Sequence, residues 1–358
     1  MKVHFRLDLW LLVPVVVLII VSLTTLLSIN ISFFKSQLLS LLIAIIAFLF
    51  FSTINIEFLK QLKVPIYFIA LFLLAIVFFI GIESRGAVRW IDIFGTRLQF
   101  SEILKPFLAL SLASFLSESE YSNLKYFFLV IFLMLPVVLL IGLQPDLGNG
   151  LIYTAVALFT LLVSGFPIAW FGLILLPFLL LSPILWTVLH TYQRQRILTF
   201  LKPSVDPQGA SYNGIQAIIA VGSGIFLGKG FSETTQSGLR FLPERHTDFI
   251  FATLAEGLGF IGASLVIIAL LLLCYRIYVI FENSNDLFTK VFAAASFGFL
   301  LIQGCVNIGM NLGYLPIVGV TLPFVSYGGS SLLSNFIFLG ILSSLSASQR
   351  NKEVLEIR

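Results

Sequence analysis

Apolar residues run through this chain in stretches of about twenty, separated by short polar turns, which is the pattern of bilayer-crossing helices rather than of half-buried strands. About ten such stretches predict spans over residues 9–29, 37–56, 64–82, 103–116, 125–143, 150–164, 167–189, 249–273, 289–314 and 331–347. Those at 103–116 and 150–164 are short for a full crossing, and so are expected to borrow flanking residues or to sit tilted and partly buried. The pattern breaks once, over residues 190–248, in a polar, Gly-rich segment ending Leu242-Pro243-Glu244-Arg245-His246-Thr247-Asp248-Phe249. Within it, Ile215, Ile218, Ile219, Val221 and Ile225 to Leu227 predict a helix half-embedded in the membrane interface. Gly222, Gly224, Gly228 and Gly230 let its end bend or let another backbone come close.

Composition agrees with the pattern. Hydrophobic residues make up 59% of the 358 and charged residues only 11%, against about 25% charged in a soluble domain. The mean hydropathy is +1.06. The expected fold is an all-α polytopic membrane protein, a single integral membrane domain over 1–358, with one large loop at about 190–248 containing interfacial helices.

The small charged fraction sets the orientation. Lys2, Arg6, Lys60, Lys63, Lys125, Arg276, Lys290, Arg350, Lys352 and Arg358 fall on the side of the N-terminus, against Lys35, Arg85, Arg89, Arg97 and Lys105 in the opposite short loops. The excess predicts both termini cytoplasmic and the long loop extracytoplasmic. The first stretch lacks a small-residue cleavage pattern and reads as a retained span. The formal charge of +4 is explained by this topology, and no nucleic-acid partner is expected. Cys274 and Cys305 lie in apolar context and form neither a disulfide framework nor a zinc pattern. No phosphate-binding glycine loop is present, which excludes transport driven by nucleotide hydrolysis in this chain.

Polar residues concentrate at the extracytoplasmic ends of the spans. Arg89-Trp90 reads as an interfacial segment. Glu102 and Lys105 share a helix face, either as an ion pair closing a helix end or as a cation for a pyrophosphate oxygen. Gln144-Pro145-Asp146-Leu147-Gly148 reads as a turn in which Asp146 caps the next helix. Arg194 and Arg196 suit bidentate phosphate contacts near the headgroups, Asp206 to Tyr212 reads as a turn, and Thr235, Gln236 and Ser237 carry donors suited to sugar hydroxyls. Asp248 stands where the chain re-enters the membrane, a costly place for a carboxylate unless it is hydrated, paired or used. It serves as a general base, a ligand for a divalent cation, or a cap, with Arg245 and His246 beside it as phosphate-binding or pairing groups. Gln303, Asn307 and Asn311 stripe one helix face, as interhelical hydrogen-bonding groups do. Leu322 to Ser331, including Ser326, reads as a Gly/Ser-rich re-entrance before the last span.

Gly86-Ala87-Val88-Arg89-Trp90-Ile91, Gln144-Pro145-Asp146-Leu147-Gly148, Pro243 to Phe251 and Pro323 to Ser330 together resemble the SEDS family, the membrane proteins of shape, elongation, division and sporulation typified by RodA and FtsW. Gln195 to Leu201, Ile225 to Gly230 and Thr235-Gln236-Ser237 look more like the RodA branch. The resemblance implies a ten-span peptidoglycan glycosyltransferase of the bacterial inner membrane that polymerises lipid II into glycan strands during cell elongation. It implies inversion at the MurNAc anomeric carbon and release of undecaprenyl pyrophosphate. Asp248 falls on the family's essential acidic position, Glu102 and Lys105 on an important pair, and the implied partner is a class B penicillin-binding protein. A cation, Mg or Mn, held partly by Asp248 would assist the leaving pyrophosphate, with Arg89, Lys105, Arg194, Arg196 and Arg245 as further cations. The substrates are lipid II and the nascent strand, and Gln236, Ser237, His246 and Ser326 join the substrate-binding candidates. Two departures stand out: Phe100 where the family usually has Pro, and Gly257 where it usually has a second Glu, which shifts weight onto Glu256. The rival readings are a lipid II flippase and a non-enzymatic scaffold of the elongation machinery.

Overall fold

The computed structural model describes residues 8–84, 87–93, 96–118, 123–189, 191–202 and 211–356. Lys2, Arg6, Arg85, Gly86, Arg358 and most of the turn expected at 206–212 lie outside the described residues. Every predicted span coincides with a helix: α1 (Leu9–Ile29), α2 (Ile31–Thr53), α4 (Lys63–Ile80), α6 (Lys105–Ser117), α7 (Leu124–Leu143), α8 (Leu147–Val163), α9 (Ile168–Val188), α12 (Ile250–Glu282), α13 (Leu287–Asn311) and α14 (Gly329–Glu356). Short helices α3 (Ile56–Gln61), α5 (Phe100–Ile103), α10 (Thr191–Leu201) and α11 (Tyr212–Ser223) lie between them. Among the described residues seven helices are long and apolar enough to cross a membrane alone, while α6, α8 and the apolar part of α9 are shorter.

Helix starts follow capping chemistry. Asp8, Asn30, Asn123, Asp146 and Asp286 each accept a backbone N–H of the first turn of α1, α2, α7, α8 and α13, satisfying donors that have no intrahelical partner. The inner helices are α13 and α14; α14 packs along α2, and α13 against α12, α6 and α8. Small residues make the α2–α14 approach close, as expected where apolar lipid gives helices no hydrophobic reason to associate. A side chain at Gly340 would bring its Cβ 2.8 Å from the Phe48 carbonyl oxygen.

Because the spans alternate in direction, one end of the bundle gathers residues 81–84, 87–93, 96–104, 144–147, 191–202, 211–249 and 312–328. The segment after α4, read from sequence only as interfacial, is a three-stranded antiparallel sheet of β1 (Ile82–Ser84), β2 (Ala87–Ile93) and β3 (Thr96–Leu98), with Ile82 opposite Trp90 and Asp92 opposite Arg97. At the same end α12 is interrupted at Gly259, where φ is +67°. Residues 225–230 supply the missing hydrogen-bond partners: Phe260 N donates to Ile225 O at 3.0 Å and Ile261 N to Phe226 O at 3.3 Å, while Lys229 N and Gly230 N donate to Glu256 O and Gly257 O, both at 3.0 Å. Backbone N–H groups released inside a membrane helix need such partners.

Candidate active site

The tight turn that delivers Asp248 is held by its own backbone: Thr247 N and Phe249 N both donate to Glu244 O, at 3.1 and 3.2 Å, with Glu244 at a positive φ of 52°. Phe249 is the N-cap of α12 and no side chain caps from that position. The cap comes from a neighbouring helix: Ala252 N donates to Asn311 Oδ1 at 3.1 Å. Asn311 Nδ2 and Asn307 Nδ2 then donate to the Asp248 carbonyl oxygen at 2.9 and 3.0 Å. The Asp248 side chain is partly exposed, and its Oδ2 lies beside Gly319, where a Cβ would stand 3.5 Å from it.

The re-entrant residues 322–328 close over this turn. Tyr327 N donates to His246 O at 2.8 Å. Ser326 Oγ donates to Thr247 O at 2.7 Å and accepts Leu322 N at 2.7 Å, so the Ser326 hydroxyl acts as a rivet between two loops. Helix α2 contributes a third wall that sequence reading missed. Phe33 stacks on the His246 ring with centroids 4.2 Å apart. Gln37 accepts Gly328 N and donates to Ser326 O, and the Ser36 and Tyr327 hydroxyls lie 3.0 Å apart. Gln37 ends the short polar run Lys35-Ser36-Gln37 near the start of α2, a signal the sequence reading did not use, whereas nothing local marked Phe33.

The other candidates occupy three separate settings. Lys105, only 2% exposed, donates from Nζ to Glu102 Oε1 at 2.7 Å and Gln303 Oε1 at 2.8 Å. Gln303 continues to Thr321, whose hydroxyl meets that of Ser331. The expected i,i+3 pair is present, enclosed by protein rather than standing at the membrane edge. Arg89 pairs with Asp146 at 3.3 Å. Asp146 caps α8, as expected, and also accepts Gln99 Nε2 at 2.7 Å, Asn149 Nδ2 at 3.0 Å and Ser101 Oγ at 3.3 Å. Arg194 donates to the carbonyls of Thr187 and Leu189, and Arg196 edges a cavity of about 90 Å³ between α10, α11 and the turn after α13.

Gln236 and Ser237, expected to meet sugar hydroxyls, direct their backbone N–H groups to Glu256, as does the Ser237 hydroxyl. Arg245 donates to Gly238 O at 3.4 Å. Partial burial, then the neighbouring Arg240 guanidinium, pushes its pKa down from the usual arginine value. Among the described residues no three His, Cys, Asp or Glu side chains assemble as a metal site. A divalent cation at Asp248 would therefore depend on water and other non-protein oxygens for much of its shell, the way Mg commonly binds.

A helical membrane bundle whose buried amides and hydroxyls fix the backbone of the turn carrying Asp248, between two loops and a third helix, is the build of an integral-membrane enzyme. Residues 2–351 match the family model of the FtsW, RodA and SpoVE cell cycle proteins, and the chain belongs to that family. It is 42% identical over 282 residues to the peptidoglycan glycosyltransferase MrdB of Escherichia coli K12, covering 78% of this chain and 76% of that one. It is 34% identical over 324 residues to stage V sporulation protein E of Bacillus subtilis, covering 89% and 88%. Among solved structures, a chain of a peptidoglycan synthase complex that coordinates polymerization and crosslinking superposes with a TM-score of 0.82 at 29% identity, over 96% of this chain and 98% of that one. The rod shape determining protein RodA of Thermus thermophilus gives 0.72 at 27% identity, over 96% and 97%.

Proposed function

We propose that this chain is a peptidoglycan glycosyltransferase that polymerises lipid II during cell elongation, with Asp248 as its general base. The observation that carries the reading is the placement of Asp248: two asparagines from α13 fix its backbone, one of them also caps α12, and the carboxylate stands at the mouth. In the reaction the 4-hydroxyl oxygen of an incoming GlcNAc forms a bond to C1 of the growing strand's MurNAc. The C1–O bond to undecaprenyl pyrophosphate breaks on the opposite face, which inverts the centre. The hydroxyl proton passes to the Asp248 carboxylate, and the bonding pair leaves on the pyrophosphate. Held in place before the substrate arrives, the base needs no reorganisation during the step.

Negative charge grows on the leaving pyrophosphate, so fixed cations near it lower the barrier. Arg245 is the strongest protein candidate because it lies three residues from Asp248, on the turn that delivers the carboxylate. Arg194 and Arg196 on α10 extend the cationic surface. Lys105 and Arg89, enclosed with Glu102 and Asp146, act on the substrate through the loops they hold. In the alternative role for Asp248, as ligand of a divalent cation, that cation would supply the charge neutralisation at the leaving group.

The membrane is the bacterial inner membrane, with both termini cytoplasmic and Asp248 on the outer side, an orientation supported by the lysine and arginine excess. A class B penicillin-binding protein is the partner, supported by the likeness to a chain of a peptidoglycan synthase complex. The test is lipid II polymerisation by purified protein, alone and with that transpeptidase, comparing the parent with Asp248→Ala in matched detergent and divalent cation. Glycan strands from the parent that vanish in the folded, partner-binding variant establish the reading. Equal product from both, or none from either while a control polymerase works, overturns it.

A further inference from the structure

Glu256 is fully buried, and its carboxylate accepts from three consecutive backbone N–H groups and two hydroxyls. Oε1 takes Thr235 N at 2.7 Å, Gln236 N at 2.8 Å and Thr235 Oγ1 at 3.2 Å. Oε2 takes Ser237 N at 2.9 Å and Ser237 Oγ at 2.7 Å. Three successive amides converging on one anion make a concave nest. Only a carboxylate fills it, because an amide side chain would set its own NH2 against an N–H donor. A buried carboxylate is costly to desolvate, so this is an expensive anchor for a loop that only connects two elements.

The anchored loop leads to the reacting group. Leu242 N donates to Gln236 O at 3.1 Å, Arg245 donates to Gly238 O, and Thr253 Oγ1 donates back to Arg245 O at 3.1 Å. The chain then turns through Glu244 to Asp248 and enters α12, which reaches Glu256 about 12 Å further on at 1.5 Å per residue. The path closes on itself: α12 from Asp248 to Glu256, the nest at 235–237, the ascent through Leu242, and the turn back to Asp248. Just beyond Glu256 the break at Gly259 separates this first part of α12 from the rest of the span. The ring is thus a mechanical unit of its own, stitched below by residues 225–230.

We infer that Glu256 is a positioning residue for Asp248: it closes this ring and so sets where the carboxylate stands against the attacking hydroxyl. The inference rests on the general-base reading above. Its test uses the full-length protein with its transpeptidase partner and lipid II, in the parent, Asp248→Ala, Glu256→Gln and Ser237→Ala. Hydrogen exchange is followed at amides 235–237 and, as a reference, in α12 over 266–280.

Glu256→Gln is expected to lose protection at 235–237 while keeping it at 266–280. It should lower kcat about tenfold or more with the KM for lipid II within about twofold of the parent. Ser237→Ala, which removes one hydroxyl and leaves the three amides, shifts both readouts the same way by less. A Glu256→Gln enzyme that loses protection yet keeps the parent kcat, or whose whole loss lies in KM, overturns the inference. Should Glu256→Gln fail to fold, Ser237→Ala decides: lost protection with parent kcat overturns it. If instead the parent makes no strands, or Asp248→Ala equals the parent, the enzymatic reading has failed. Exchange then decides the anchor separately, since unaltered protection at 235–237 in Glu256→Gln would show that Glu256 does not hold the loop.

Discussion

Removing the Glu102 carboxylate should cost this protein more than removing Glu102 and Lys105 together. Lys105 Nζ has two described oxygen partners, Glu102 Oε1 and Gln303 Oε1, and its side chain is 2% exposed against 5% for that of Glu102. Glu102→Ala leaves an ammonium with one neutral acceptor and almost no water, whereas Glu102→Ala with Lys105→Met leaves no buried charge. Breaking a buried pair from one side costs about 3–5 kcal/mol, while replacing both members by apolar groups of similar volume is often near neutral. For a chain of this size such a loss lowers a melting midpoint by roughly 4–7 °C. The assay is thermal unfolding in one detergent for the parent, both single variants and the double, so that the cycle isolates the coupling. The reasoning fails if Glu102→Ala melts with the parent, or if the double variant falls as far as the sum of the singles. Activity adds a second reading. Lys105 reaches Thr321 and the 322–328 loop through Gln303, so the double variant should fold well and still polymerise slowly.

Three further perturbations follow from single contacts. Gly257→Glu, which restores the residue usual in the family, should destabilise by about 1–3 kcal/mol, because its Cβ would meet the Phe231 ring at 2.5 Å; Phe231→Ala in the same chain should recover most of the loss, and a Gly257→Glu protein as stable as the parent refutes this. Asn311→Ala removes the donor to Asp248 O and the acceptor for Ala252 N, so it should cost about 1–3 kcal/mol and lower kcat in the polymerisation assay, while unchanged kcat in a folded variant would detach the asparagine from Asp248. At the opposite end of the bundle Arg276 grips the buried Asp8 through Nε and Nη2, the latter at 2.5 Å, so Asp8→Ala should lower the melting midpoint by several degrees and leave the kcat of the folded fraction as in the parent.

The spans were legible because each requirement is local: about twenty apolar residues and a polar break. The cap at Asp146 was legible for the same reason, since it acts within three residues of itself. The break in α12 is of another kind. Leu258-Gly259 sits in an apolar run, where a glycine is compatible with a continuous helix, and what makes the interruption tolerable is backbone from residues 225–230. The helix cap at Ala252 is supplied by Asn311, 59 residues away in the chain, and the wall beside His246 by Phe33 on a different span. Sequence reading placed Asp248 at the mouth and described Gln303, Asn307 and Asn311 as interhelical groups. It could not see that two of the three are aimed at Asp248.

That stripe on α13 also bears on the choice between an enzyme and a route through the membrane. A polar headgroup crossing the bundle needs side chains along its path with hydrogen-bonding capacity to exchange. Gln303 gives its amide to Thr321 and its oxygen to Lys105. Asn307 gives its amide to Asp248 O and Val320 O, and its oxygen faces the Asn311 amide at 3.4 Å. Asn311 gives its amide to Asp248 O and Asn307 O and its oxygen to Ala252 N. Both polar ends of every side chain in the stripe are bound, and four of the contacts go to the backbone carbonyls of Asp248, Val320 and Thr321. The stripe is spent on holding the backbone of Asp248 and the loop opposite it, an arrangement that suits a fixed reaction site and leaves the stripe nothing with which to pass a sugar along.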